Sequence, residues 1–423
     1  MGLRSELHFD AVVIGGGTAG LIAATRLAEG GASVSVLAKG VGSTHLAPGT
    51  VDVLGYAPER VEEPGRAVGE LAAARPDHPY ALIGLDAIGE SLAWFAEQVA
   101  EGPLPGYRYV GSLERNHLLP TAVGAMRPST LVPETMAAGD LRSGEPICVV
   151  GSRMLRDFHA ALCAANLARA GIEARSVEVA FEVDRADQSS LGLARRFDDA
   201  TWRAAFAAQL GSLLKPGERV GLPAVLGLAD PHGVWSDLRE RLGRAVFEIP
   251  TLPPSVPGIR LFELLRSALR RNGGRLVLGS EVTGAERADG RVVAVIGHAS
   301  GRDVRYVASS FVLATGGFGS GAIELGSDWV TRDTVLGLPL RGEPAAGEPR
   351  FVPEYLAEQP MSRVGVAVDG QLRAEGAENV AVAGAALPGA VPWRELSGEG
   401  IAVASGYRAA STLLSTAAAG AAA

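Results

Sequence analysis

Cysteine and lysine are both scarce in this chain of 423 residues. Cys148 and Cys163 are the two cysteines, and with no C-x-x-C spacing they can build neither an iron–sulfur cluster nor a cysteine-held zinc site. Any cluster serving this chain has to come from another subunit, and no metal site is nominated. Both thiols lie in apolar runs and read as buried and chemically quiet, and their scarcity suits a reducing compartment. Of 39 basic residues only Lys39 and Lys215 are lysines, a coding bias that carries no functional weight. Against 47 acids the net charge is −8, with no block of basic residues, so nucleic acid is excluded as a partner. No unbroken apolar stretch approaches the ~20 residues of a bilayer span; the best candidate, 401–418, contains Arg408. No direct membrane span is expected. Residues 1–10 carry Arg4, Glu6 and His8 ahead of the first apolar run, unlike a secretory signal, so a cytoplasmic location is expected.

What the chain has in quantity is glycine, 55 residues, within a composition of 47% hydrophobic and 20% charged residues that suits two or three globular domains. Phe9 to Ile14 reads as a buried strand, followed at once by Gly15, Gly16, Gly17, Thr18, Ala19 and Gly20, then by Leu21, Ala24, Leu27 and Ala28 at helical spacing. In this G-x-G-x-x-G, Gly15 permits the turn, Gly17 lets a pyrophosphate approach the backbone, and Gly20 lets helix and strand pack closely. The helix N-terminus then offers unpaired N–H groups to an anion. A following strand, 33–37, ends at Ala38 and Lys39, where this fold usually places the acid that holds an adenosine ribose. FAD therefore needs another contact there, or the flavin is the shorter FMN.

Two later segments repeat the theme. A β-rich run from Tyr306 ends in the small-residue turn Ala314, Thr315, Gly316, Gly317. A short strand from Asn379 ends at Gly384, and Ser397, Gly398, Glu399 and Gly400 precede a helical segment from Ile401 to Leu414, whose N-terminal dipole suits the negative charge of a reduced flavin. Between these pieces lie a strand at 147–151, a helix at 158–170, a strand at 177–183, a helix at 258–272, a strand at 275–278 and a hairpin around Ser300 and Gly301. The fold expected is α/β, a Rossmann-like two-dinucleotide-binding flavoprotein fold with an inserted α+β substrate or cap domain. Its boundaries are expected as 1–110 and 261–423 for the flavin-binding parts and 111–260 for the insertion.

Beyond the glycines, three segments are more specific: Thr44, His45, Gly49, Thr50 and Asp52; Asn116, His117, Pro120, Thr121, Gly124, Arg127 and Pro128; and Phe247, Glu248, Pro250, Thr251, Pro253 to Ser255, Pro257 and Gly258. On these the chain resembles the B-subunit family of anaerobic glycerol-3-phosphate dehydrogenase through most of its length. The resemblance implies oxidation of sn-glycerol 3-phosphate to dihydroxyacetone phosphate. It further implies FMN in this chain, with FAD still open, an FAD-containing dehydrogenase subunit as partner, and an iron–sulfur membrane subunit carrying electrons to quinone. Location would then be peripheral, at the inner face of the cell membrane.

Alcohol oxidation by a flavin needs a base for the hydroxyl proton, and a phosphorylated substrate wants cationic anchors. His45 is the candidate for flavin contact or proton transfer and His117 a second active-site histidine. Arg127 and Arg260 are the candidate phosphate grips, since a guanidinium can hold phosphate bidentately. Asp52 and Glu395 read as turn or helix caps. Cofactor contacts are expected from Gly15, Gly17, Thr18, Ala19, Gly20, Lys39, Thr44, Ala314, Thr315, Gly316, Gly384, Gly398, Gly400 and Ile401.

Overall fold

A computed structural model describes residues 5–180 and 189–422. The N-terminal strand β1 (Ser5–Ile14), the helix α1 (Thr18–Glu29) and the strand β2 (Val34–Ala38) form the expected strand, turn and helix. β1 pairs in parallel with β2 on one side and, over its whole length, with the strand Arg302–Leu313 on the other. Arg275–Leu278 extends the sheet in parallel beyond β2.

The strand Arg302–Leu313 changes role along its length. Its first half pairs antiparallel with Arg291–Ala299, the expected hairpin, and that strand pairs on with Glu281–Ala288. Its last residues, Phe311 to Leu313, pair in parallel with Ala377–Val382. The carboxyl ends of β1, Arg302–Leu313 and Ala377–Val382 thus meet at one sheet edge, where ligands of open α/β sheets bind. α1, the helix Val256–Arg271 and the C-terminal helix Gly398–Ala422 pack around this sheet and share one core with Val12, Leu21, Leu261, Val312 and Val403, all buried.

A second core surrounds a four-stranded parallel sheet in the spatial order Val246–Ile249, Arg219–Pro223, Ile147–Gly151, Ala174–Glu178. Helices Ala160–Arg169, Ala200–Gly211 and Pro231–Leu242 separate its strands in sequence. Where separated layers of helix and sheet were expected, this inserted part alternates them, and antiparallel pairing is confined to short pairs such as His117–Pro120 with Met126–Ser129. The physical reason is visible in Ile147–Gly151, buried at every residue, because a strand covered by helices on both faces needs no polar alternation. The strand expected at 177–183 instead spans Ala174–Glu178, and its expected positions 181–183 lie outside the described residues.

Candidate functional site

The glycine turn is built as its spacing dictates. Gly15 has φ +115°, and a Cβ there would strike the carbonyl of Ala314 at the end of the adjoining strand. Gly20 sits as tightly on the carbonyl of Gly15, which draws α1 onto β1. Gly17 faces open space, and as the N-cap of α1 it brings no side-chain cap, so the first amides, at Thr18, Ala19 and Gly20, are left to an outside acceptor. This is a cradle that a Cβ at position 17 would fill.

The later glycine segments close around the same turn. Gly384, at φ +72°, leaves only 2.9 Å between a would-be Cβ and the Cβ of Ala19. Gly317 lies against the carbonyl of Ala385, Gly316 turns at φ +83°, and Thr315 has its Oγ1 sealed from solvent without a partner. Thr44, also buried, places Oγ1 3.3 Å from that of Thr18. A buried hydroxyl without a partner at the mouth of an anion cradle fits a polar ligand there.

The start of the C-terminal helix is already partly engaged. The Gly400 N–H donates to Asp52 O at 3.0 Å and the Ile401 N–H to Ser397 O at 2.9 Å. Gly400 is needed for close approach, since a Cβ would come within 2.6 Å of Val53 Cα. The Gly400 and Ile401 amides are therefore spent on the fold, which corrects the expectation that they donate to a cofactor; Gly398, exposed beside Pro392, begins the helix. Lys39 is likewise turned away, in an exposed ion pair with Glu281 at 2.9 Å. Neither Ala38 nor Lys39 offers a carboxylate to a ribose.

His45 is half-buried, edge-on to Phe262 at 5.0 Å, with Nε2 sealed and unpartnered. Burial lowers its pKa from the usual value and so favours the neutral ring, opposed only by Glu263. A residue that the motif reading missed stands nearby. Glu399 is half-buried, but its Oε2 is sealed without a partner, and burial pushes its carboxyl up to about 7 against the pull of Thr18 and Arg127, with Asp52 adding to the rise. The signal was present in Ser397 to Gly400, but an acid in a first helical turn ordinarily caps in solvent.

The two arginines nominated as phosphate grips have other work. Arg260 is 1% exposed, donating to Glu248 at 2.8 and 3.1 Å and to Gly227 O at 3.0 and 2.7 Å. With every edge of its guanidinium taken inside the protein, it has none to offer a substrate; its role is to tie the helix Val256–Arg271 to the second sheet. Arg127 donates from Nε at 3.0 Å and from Nη2 to Asp52 Oδ2, while Asp52 Oδ1 has no partner. His117 sits apart from the glycine turns, with Nδ1 3.4 Å from Asp140, which also holds Arg142. Of the four nominated side chains, His45 follows Thr44, whose hydroxyl meets that of Thr18, and Arg127 pairs with Asp52, whose carbonyl takes the Gly400 N–H at the start of the C-terminal helix.

Glu395 is more than a cap. Its carboxylate takes hydrogen bonds from Arg75 at 3.1 Å, His78 Nε2 at 3.2 Å and Ser397 Oγ at 2.9 Å. His78 Nδ1 accepts the N–H of Tyr80, so Nε2 is the nitrogen that carries the proton toward Glu395. Burial raises the Glu395 carboxyl, but the bonds from His78 and Ser397 prevail and hold it at about 2. This network fixes the turn that enters the C-terminal helix.

Comparison with known proteins agrees with this geometry. Residues 10–400 match the FAD binding domain family. The B subunit of the probable anaerobic glycerol-3-phosphate dehydrogenase of Halobacterium salinarum is 34% identical over 97% of each chain. The B subunits of the anaerobic glycerol-3-phosphate dehydrogenases of Pectobacterium carotovorum and Yersinia enterocolitica are 32% and 30% identical, over 96% and 97% of this chain and 99% of each of theirs. Among the described residues, no helix is long and apolar enough to cross a membrane. This chain belongs to the FAD binding domain family and, within it, to the B-subunit family of anaerobic glycerol-3-phosphate dehydrogenase.

Proposed function

We propose that this flavin oxidoreductase oxidises sn-glycerol 3-phosphate to dihydroxyacetone phosphate. It would do so as the B subunit of a complex in which an FAD-containing dehydrogenase subunit and an iron–sulfur membrane subunit carry the electrons to quinone. The observation that supports it most is the closing of the turns at Ala314 to Gly317 and at Gly384 around the turn 15–20, whose Gly17 is left open. The cofactor proposed is FAD. The expected FMN finds no support in a match to an FAD-binding family, and an amide cradle shaped for a pyrophosphate has no counterpart group in FMN. With no acid at Ala38 or Lys39, the ribose has to be held by other groups.

A bound flavin supplies the acceptor for the hydride leaving the substrate's secondary carbinol carbon. The protein's share is the proton and the positioning. His45, its pKa lowered by burial and its sealed Nε2 without a partner, would accept the hydroxyl proton as the carbonyl forms. Glu399, raised to about 7 mainly by burial, can exchange a proton near neutrality beside the Asp52–Arg127 pair. The peripheral location at the inner membrane face would follow from the partner subunits.

The test is to purify the protein anaerobically, release and identify its cofactor, and add glycerol 3-phosphate while following flavin absorbance. FAD that bleaches is the expected result. Flavin that never bleaches, with this chain alone or assembled with its partners, would make it an electron relay without substrate, and a folded chain without flavin would remove the reading altogether.

A further inference from the structure

Outside the glycine cradle the molecule has a cavity of about 960 Å³ between the helix Pro64–Ala74 and residues 391–395. Five arginines line it, and three are neutralised: Arg66 by Glu63 and Glu70, Arg75 by Glu395, and Arg363 by Glu358. Arg60 and Arg394 are exposed and, among the described residues, have no carboxylate partner. Arg394 lies over the ring of Trp393 at 5.8 Å, which steadies its guanidinium without occupying its donors. Two further exposed acids, Glu59 and Glu62, share the lining, so that six carboxylates accompany the five guanidiniums. The cleft is therefore no broad positive field, and an anion would be recognised by guanidinium forks.

The cleft borders the site already described. The N–H groups of Gly55 and Tyr56 both donate to Glu395 O, at 2.8 and 3.1 Å, and the Tyr56 hydroxyl donates to Met126 O at 3.5 Å, next to Arg127. Residues 52–56 thus run from the Asp52–Arg127 pair to the cavity, whose lining includes Tyr56 and Glu395.

Resting on the function proposed above, we propose that this cleft is where the phosphate of the substrate is held, gripped by Arg60 and Arg394. Arg260 is sealed and Arg127 is drawn to Asp52, and within the cavity Arg60 and Arg394 are the guanidiniums that no carboxylate neutralises among the described residues. A phosphate monoester dianion presents three acceptor oxygens, enough for one fork from each arginine, with its carbon chain directed toward Tyr56.

The experiment is calorimetric titration of the flavin-loaded, full-length protein with glycerol 3-phosphate, inorganic phosphate and glycerol, for the native chain and for R60Q, R394Q and the double variant. Both positions are exposed, so folding and flavin content should hold, and each is checked by melting and by absorbance. Binding of the two phosphates but not of glycerol by the native chain, weakened about 10- to 100-fold in each single variant and further in the double, is expected. Native-like phosphate binding in the double variant would overturn the cleft assignment and leave the proposed function standing. Failure of the native holoprotein to bind glycerol 3-phosphate at all would overturn both.

Discussion

Two segments of this chain carry the same outline of buried strand, glycine and helix, and only one makes a cradle. β1 passes into α1 through the three residues 15–17, with Gly17 facing open space. The strand Ile147–Gly151 needs the eight residues 152–159 before its helix begins, and the space beside Gly151 is already taken by Ala160 Cβ at 2.7 Å and Glu178 Oε1 at 2.9 Å from a would-be Cβ. The difference teaches that a phosphate site is made by a short turn that leaves helix amides uncapped and by neighbours that stay small. A glycine after a strand is not enough.

The sharpest way to break the comparison is at Arg260, which belongs to packing in the folded chain and to substrate binding in the motif reading. Arg260→Met should destabilise the fold by about 3–5 kcal/mol in chemical denaturation, because it strands Glu248 in the interior. A stable variant with only a weakened affinity for glycerol 3-phosphate would restore the motif reading. Next, His45→Ala should keep its flavin and lose about 100-fold or more in turnover, roughly 2.7 kcal/mol or more, if it takes the hydroxyl proton; unchanged turnover would remove that role.

A paired substitution tests the two glycines directly. Gly17→Ala, at an ordinary φ of −79°, should fold normally but weaken flavin binding, whereas Gly151→Ala should cost about 1–3 kcal/mol of stability by overpacking and leave flavin affinity alone. Equal flavin affinity in both variants would erase the distinction drawn between the segments.

Glu399 gives a pH signature. With its folded pKa at about 7, above the ordinary carboxyl value of 4.5, its contribution to stability is present below pH 4.5 and is lost as pH rises toward 7. Denaturation midpoints of the native chain relative to Glu399→Gln should therefore fall across that window, by an amount on the order of 1–2 kcal/mol after allowing for partial exposure. A flat difference would mean that the carboxylate is hydrated. Smallest of all, Lys39→Ala should change stability by about 1 kcal/mol at most, as an exposed pair does, and leave flavin affinity unchanged; a clear loss of flavin would return Lys39 to the cofactor.

Local features were legible in the sequence. The turn at Gly15 to Gly20, the hairpin around Ser300 and Gly301, the strand Arg275–Leu278 and the returning turns at Ala314 and Gly384 follow from periodicity and glycine chemistry within a dozen residues. What stayed hidden depends on distant partners. Arg127 meets Asp52 across 75 positions, and Glu395 meets His78 across 317, separations at which one sequence carries no pairing signal. Arg260 reads as a phosphate grip in the sequence because nothing in its helix shows that Glu248 and Gly227 face it. The alternating insertion was legible only in part: the strand at 147–151 and the helix after it show in the sequence, but Arg219–Pro223 and Val246–Ile249 do not, since a short apolar run reads alike in a parallel strand or a buried helix.

The pairing of β1 with Arg302–Leu313 also sets an order of events during synthesis. The insertion holds its own core between Leu118 and Val256, so its sheet can close once that stretch has left the ribosome. β1 has to wait for a strand that arrives nearly 300 residues after it, and Gly15 cannot settle against Ala314 before then. The part of the chain made first is thus completed late, and until then its apolar face is open to chaperones and to mispairing.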